Sequence, residues 1–275
     1  MSSVAFLPMY VVRGTTVHAD ALWRCLRGSL GSHGIEAPEQ VSHFEPRLKG
    51  WLHPELILGQ TCGLPYITKL CGSVELVGTP DYGVEGCPAG FYHSTLVVSS
   101  ADTRKHLSEF LGSTLAVNGR DSQSGYAAIM LASAPFARAG RFFQRAIHSG
   151  SHAASMQLVA RGLADIAAID SVTWRMSRQF DPVASGLKTI GTTEPTPGLP
   201  FIAAAGKADA RLFDAVRAGI TALPDATRQA FGLRDVVPFG KRDYEVIRTN
   251  LARAEAVHTL PDMEEIPAAL SLSRS

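Results

Sequence analysis

No stretch of these 275 residues reaches eighteen consecutive apolar side chains, so none reads as a membrane-spanning helix. Basic residues do not cluster either. The 26 Lys and Arg stand against 25 Asp and Glu, leaving a net charge of +1. That argues against nucleic acid or an anionic membrane as the main partner. Cys25, Cys62, Cys71 and Cys87 include no Cys-x-x-Cys pair, which argues against a zinc ribbon or a thioredoxin-type site. There is no internal repeat. The first ten residues lack a basic start and a long apolar centre, so they read as a strand and not as a signal peptide. The expectation is a cytoplasmic protein as written, or a periplasmic one if a leader was removed.

Apolar residues make up 45% and charged residues 19%, enough to build a core and inconsistent with disorder. The length suits one large domain or two small ones. Strand-like and helix-like patterns alternate along the chain. Strands are expected at Val4–Tyr10, Gln40–Phe44, Leu56–Gly59, Val74–Gly78, Phe91–Val98, Thr114–Val117, Phe142–Ile147, Ile166–Ile169 (ending at Asp170), Leu187–Ile190 and Phe201–Ala205. Helices are expected from Thr15 or Thr16 to Gly31, over Asp102–Leu111, after Tyr126, after His152 and after Asp170. Others follow from Leu212 to Leu223 and from Asp243 to Ala254. Such alternation implies βαβ units and a mainly parallel sheet. The tail after Pro267 has the composition of a poorly ordered end.

Three strand–turn–helix corners carry the chemistry. In Asn118-Gly-Arg-Asp-Ser-Gln-Ser-Gly-Tyr126, the residues Asp121, Ser122 and Ser124 are all good helix caps, and Gly125 allows a close approach to the backbone. Thr61-Cys62-Gly63 follows a short apolar run, and Pro65 suits the first turn of a helix reaching Leu70. Ser149 to His152 opens the third. Each offers hydroxyls and N–H groups at the positive end of a helix dipole, where an anion is favoured. Each also reads as an ordinary capped turn. Asp170 likewise serves as a cap or as a ligand-facing carboxylate.

The order Tyr92-x-Ser94, Asp121-Ser-Gln-Ser-Gly125, Gly150-Ser-His152 and Ala164-Asp-Ile-Ala-Ala-Ile-Asp170 resembles the phosphate/phosphonate-type substrate-binding proteins of ABC transporters. The resemblance spans nearly the whole chain. It implies an α/β type II periplasmic-binding fold, with two lobes, each a mainly parallel sheet flanked by helices. Lobe one would hold 1–90 and 207–275, and lobe two 91–206. Crossing strands near 91–98 and 200–206 would let the lobes close on a ligand by a hinge motion. Carried over residue by residue, Ser122, Gln123, Ser124 and the Gly125 N–H would grip an oxyanion, with Ser151 and His152 beside them. Tyr10, Tyr66 and Tyr92 would line the site, and Asp170 would face the ligand. Thr61, Cys62 and Gly63 are ligand candidates from their own strand-end corner, and the family pattern gives Cys62 and Cys87 no role. Ala153 stands where the family often carries an acidic residue, which argues against a ligand bearing an ammonium group.

The expected function is therefore capture of a small phosphonate- or phosphate-like anion without chemistry, for an ABC permease. No metal, cofactor or catalytic residue is called for. Two alternatives stay open. One is a cytosolic lyase of the chorismate-dehydrating type, with Asp170 or His152 as acid/base. The other is a ligand-sensing module. Cys62 and Cys87, both beside glycines, allow a disulfide in an oxidising compartment and read as thiols otherwise.

Overall fold

The computed structural model describes residues 3–266; the tail after Pro267 lies outside them. In chain order the strands are β1 Val4–Phe6, β2 Leu56–Gln60, β3 Val74–Asp81, β4 Phe91–Tyr92, β5 Ser94–Ser99, β6 Thr114–Val117 and β7 Arg145–His148. They continue with β8 Ile166–Asp170, β9 Leu187–Thr192, β10 Thr196–Pro197, β11 Phe201–Ala204, β12 Asp235–Val237 and β13 Met263–Glu265. The chain divides into two compact units, residues 1–92 with 196–246 and residues 93–195 with 247–275.

The first unit is built on a sheet of order β1-β2-β11-β3-β12. β1 and β2 run parallel, but β11 is antiparallel to both β2 and β3, and β12 to β3. So Phe201–Ala204, expected as a crossing, is a central strand of this sheet. The changeover falls earlier, between Pro195 and Thr196. Leu56, Leu58, Phe201 and Ile202 are fully buried, as the uninterrupted apolar runs require. The helix Thr16–Ser32 has Leu26 and Leu30 on its buried face and packs on the helix Ala210–Thr221. Gly219 sets how closely they meet. A Cβ there would stand 2.9 Å from the Leu26 Cα and 3.2 Å from the Cys25 carbonyl oxygen, both backbone atoms that cannot swing away. Gly219→Ala should therefore force the helices apart and destabilise this unit by about 1–3 kcal/mol. Thermal unfolding monitored by circular dichroism would show it, and an unchanged midpoint would refute the close-packing argument.

The second unit holds the sheet β13-β7-β6-β8-β5-β9. Here β13, β7, β6 and β8 are mutually parallel neighbours, as the alternation implied, while β5 runs antiparallel to β8 and β9. The helix His152–Ala160 buries Met156 and Val159 against Ala116, Ala167 and Ile169.

Several expected elements differ. Gln40–Phe44 is not a strand; Ser42 N–H donates to the Ala5 carbonyl at 2.7 Å, but no ladder forms there. Asp102–Leu111 is not a helix beyond the tight turn Leu107–Phe110. The Asp102 carboxylate accepts from its neighbour Arg104 N–H at 2.9 Å and from the Arg104 guanidinium, which folds the start into a local turn. The run Phe91–Val98 breaks at His93. Phe142 and Phe143 are buried but precede β7 without pairing.

Residues 247–266 group with the second unit, where lobe one was expected to hold them. Helix Lys241–Glu255 starts in the first unit, and residues from Ile247 onward count with the second. Tyr126 OH donates to the Glu255 carboxylate at 2.7 Å, and buried His258 bonds the Met130 carbonyl through Nε2 at 2.8 Å. β13 then pairs with β7, and Arg145 grips Glu264 with two bonds.

Candidate functional site

The corner after β6 is built from the strand outward. β6 is apolar and almost wholly buried, and delivers Asn118 at its end. Ser122, itself in extended geometry, caps the helix start at Gln123, its Oγ accepting from Gly125 N–H at 3.0 Å. The first turn is wide, because Ala127 N–H reaches back five residues to the Ser122 carbonyl at 3.1 Å. A regular helix continues from Ala128 to Ser133. Such wide turns are uncommon and tend to mark functional sites. After Thr61–Gly63 the first turn is ordinary, Tyr66 N–H reaching the Cys62 carbonyl at 3.1 Å, and a wide turn follows where a plain helix to Leu70 was expected: Cys71 N–H reaches the Tyr66 carbonyl at 2.8 Å, five residues back.

The glycine is needed for a different reason than ligand approach. A Cβ at Gly125 would overlap the Asn118 side chain. Nor is the Gly125 N–H directed at a ligand, since Ser122 Oγ holds it.

The third corner meets the first. Ser151 caps the helix His152–Ala160, its Oγ accepting from Ala154 N–H at 3.1 Å. His152, at the first position of that helix, places Nε2 2.8 Å from Ser124 Oγ. Two helix starts from different parts of the sequence are thus joined through one hydroxyl–imidazole contact. Both present the positive ends of their dipoles. Ser122, Gln123 and Ser124 are all buried. His152 Nδ1 is also buried and has no hydrogen-bond partner among the described residues.

Burial pushes the His152 pKa down to about 4, so the ring is neutral at pH 7. The unfolded chain, with an ordinary histidine pKa near 6.5, takes up the proton first. The stability His152 contributes is therefore complete above about pH 6.5 and is lost as pH falls through 6.5 towards 4, by on the order of 3 kcal/mol at most. His152→Gln should flatten that part of a pH–stability curve. An unaltered curve would show that another group controls the window.

Asp170 closes β8 as a helix cap. It is 2% exposed, and one carboxylate oxygen accepts from Val172 N–H at 2.8 Å and Thr173 N–H at 3.0 Å. Ser94 on the neighbouring β5 pairs with it in register.

In the first unit, Tyr10 adopts a left-handed backbone (φ 59°), uncommon for a tyrosine, and sets its ring 4.7 Å from that of Tyr82. Tyr82 OH in turn accepts from Gln60 Nε2 at 3.1 Å. Thr61 is fully buried and its N–H donates to the Pro200 carbonyl at 3.2 Å. Cys62 occupies the cap position before Gly63, which is buried. Tyr66 is core: its ring lies 5.1 Å from that of Tyr244, and burial, then Cys71 beside it, raise its pKa. Tyr244 OH donates to the Gly198 carbonyl at 2.9 Å and lies 2.7 Å from Thr79 Oγ1. Tyr92 is buried and pairs with Thr196. All four cysteines are thiols, not disulfides.

Ser122, Ser124, Ser151 and His152, all singled out in the sequence, lie on the two helix starts of the second unit that the Ser124–His152 contact joins. Sequence reasoning assigned no role to Ser94, Asn118 or Thr193, although Ser94 stood in the Tyr92-x-Ser94 pattern. A hollow of about 690 Å³ elsewhere in this unit, lined by Trp174, Arg178, Phe180 and Lys188 among others, includes no residue of the corner.

A family model described as the periplasmic substrate-binding protein of a phosphonate ABC transporter matches residues 68–244. The chain belongs to this family. The match covers most of the chain and includes the Ser122–Ser124 turn, His152 and Asp170. Solved structures agree on the fold. The binding-protein component of an ABC phosphonate transporter from Pseudomonas aeruginosa superposes with a TM-score of 0.70 at 14% identity, over 93% of this chain and 87% of that one. PhnD1 from Prochlorococcus marinus, in complex with methylphosphonate, gives 0.69 at 15% identity, over 92% and 97%. XAC2383 from Xanthomonas citri, bound to ATP, gives 0.63 at 18% identity, over 94% and 99%. No curated protein sequence matches this phosphonate-binding family member. No described helix is long and apolar enough to cross a membrane.

Proposed function

We propose that this family member captures a small phosphonate- or phosphate-like oxyanion at the Ser122–Ser124 turn of its second unit and delivers it to an ABC permease, working in the periplasm. One observation carries the assignment: Ser124 Oγ and His152 Nε2 lie 2.8 Å apart and join two helix N-termini. Neutral donors and helix dipoles then hold the anion, in the manner of many anion sites. If Nε2 carries the imidazole proton it donates to Ser124 Oγ, which leaves the Ser124 hydroxyl proton for the ligand. That tautomer also leaves the buried Nδ1 as a bare acceptor in place of an unsatisfied N–H.

Ala153, beside His152, offers no carboxylate, which favours ligands without an ammonium: alkylphosphonates, phosphite or phosphate over aminoalkylphosphonates. Capture is favoured over lyase chemistry because Asp170, one acid/base candidate, has a carboxylate oxygen engaged with two helix N–H groups. Calorimetric titration with methylphosphonate, phosphate and 2-aminoethylphosphonate should give micromolar or tighter binding of the first or second and at least tenfold weaker binding of the third. No heat and no thermal shift with any of the three would overturn the reading.

A further inference from the structure

Two short segments carry the chain into and out of the second unit. His93 and Ser94 follow the changeover at Tyr92, and Thr193 to Pro195 precede the one at Thr196. They are tied reciprocally. Ser94 N–H donates to Thr193 Oγ1 at 3.0 Å, and Thr193 N–H donates to the Ser94 carbonyl at 2.9 Å. Both residues are buried, with Ser94 1% exposed.

The Ser94 side chain leaves this pair and donates from Oγ to the Ser124 carbonyl at 2.9 Å. The other end of the same peptide group, the Gly125 N–H, donates to Ser122 Oγ at 3.0 Å. One peptide plane in the middle of the Ser122–Gly125 turn is therefore held at both ends by serine hydroxyls. Its orientation fixes where the Ser124 side chain points, and so where Ser124 Oγ meets His152. A turn held this way binds without first having to be ordered.

We propose that Ser94 is a positioning residue for oxyanion capture: through the Ser124 carbonyl it pre-orders the turn, and through Thr193 it couples that turn to both segments where the chain changes unit. This inference rests on the anion-binding reading of the same turn. Coupling of this kind is reciprocal, so an anion that binds the pre-ordered turn more tightly because of Ser94 must in turn tighten the Ser94–Thr193 pair.

The test uses the whole chain with methylphosphonate and inorganic phosphate as probes. Ser94→Ala should raise Kd about tenfold, mainly through faster release, and Ser94→Thr, which keeps a hydroxyl, should restore most of the loss. Thr193→Val should leave the turn intact but break the coupling. Hydrogen exchange at the Ser94 and Thr193 amides should slow when the probe binds the wild type, and should not respond in Ser94→Ala or Thr193→Val. A merely structural serine would lower stability without changing that response. Wild-type protein that binds neither probe overturns the function reading and this inference with it. Binding by Ser94→Ala as tight as wild type overturns this inference alone. If Ser94→Ala does not fold, the wild-type exchange decides, and no slowing at Ser94 and Thr193 on binding overturns the coupling.

Discussion

Replacing Ser122 and Ser124 together by alanine should raise the Kd for the captured oxyanion by on the order of a thousandfold. Hydrogen bonds to a charged ligand contribute roughly 1.5–3 kcal/mol each, or about 10–100-fold in affinity per hydroxyl. The two single variants should differ in kind. Ser124→Ala removes a donor and leaves His152 Nε2 without its 2.8 Å partner, so affinity falls while the turn keeps its cap. Ser122→Ala also removes the oxygen that receives the Gly125 N–H, so about 1 kcal/mol of stability should go with the affinity. Titration calorimetry and thermal unfolding on the same samples separate the two losses. A double variant that binds within threefold of wild type would place the anion elsewhere.

Asp170→Ala should destabilise the second unit by about 2–4 kcal/mol, since it strands the Val172 and Thr173 N–H groups at a buried helix start. Asparagine is as good a cap as aspartate, so Asp170→Asn should keep both the stability and the affinity. The pair of variants distinguishes a cap from a ligand-facing carboxylate. If Asp170→Asn unfolds normally but loses more than tenfold in affinity, the charge acts on the ligand and the carboxylate is more than a cap.

Much of the corner after β6 was legible because its causes are local. β6 matches its expected span from Thr114 to Val117, and β8 its expected Ile166 start and Asp170 end. Both are short apolar runs with a polar residue at the exit. Ser122, Ser151 and Asp170 are caps, and capping is decided within three or four residues. The family resemblance rested on the order of these corners, and the family match bears it out. What misled was also local in form. Asp102–Leu111 has helical spacing, but Asp102 spends its carboxylate on Arg104 beside it. The apolar run Phe201–Ala205 looked the same whether it crossed between units or sat within a sheet.

From its own order of residues, then, this chain determines the α/β class, the apolar strands that end at polar turns, and the serines and histidine that stand at the helix starts proposed to hold the anion. These features arise from spacing and capping, which act over a few residues. Only the tertiary structure decided that β11 runs antiparallel within the first sheet and that Met263–Glu265, with no apolar alternation to betray it, pairs with β7. It alone brought His152 to Ser124, 28 residues away, and Ser94 to the Ser124 carbonyl and to Thr193. Strand direction and such contacts depend on the path by which the chain returns, and no local pattern of residues encodes that path.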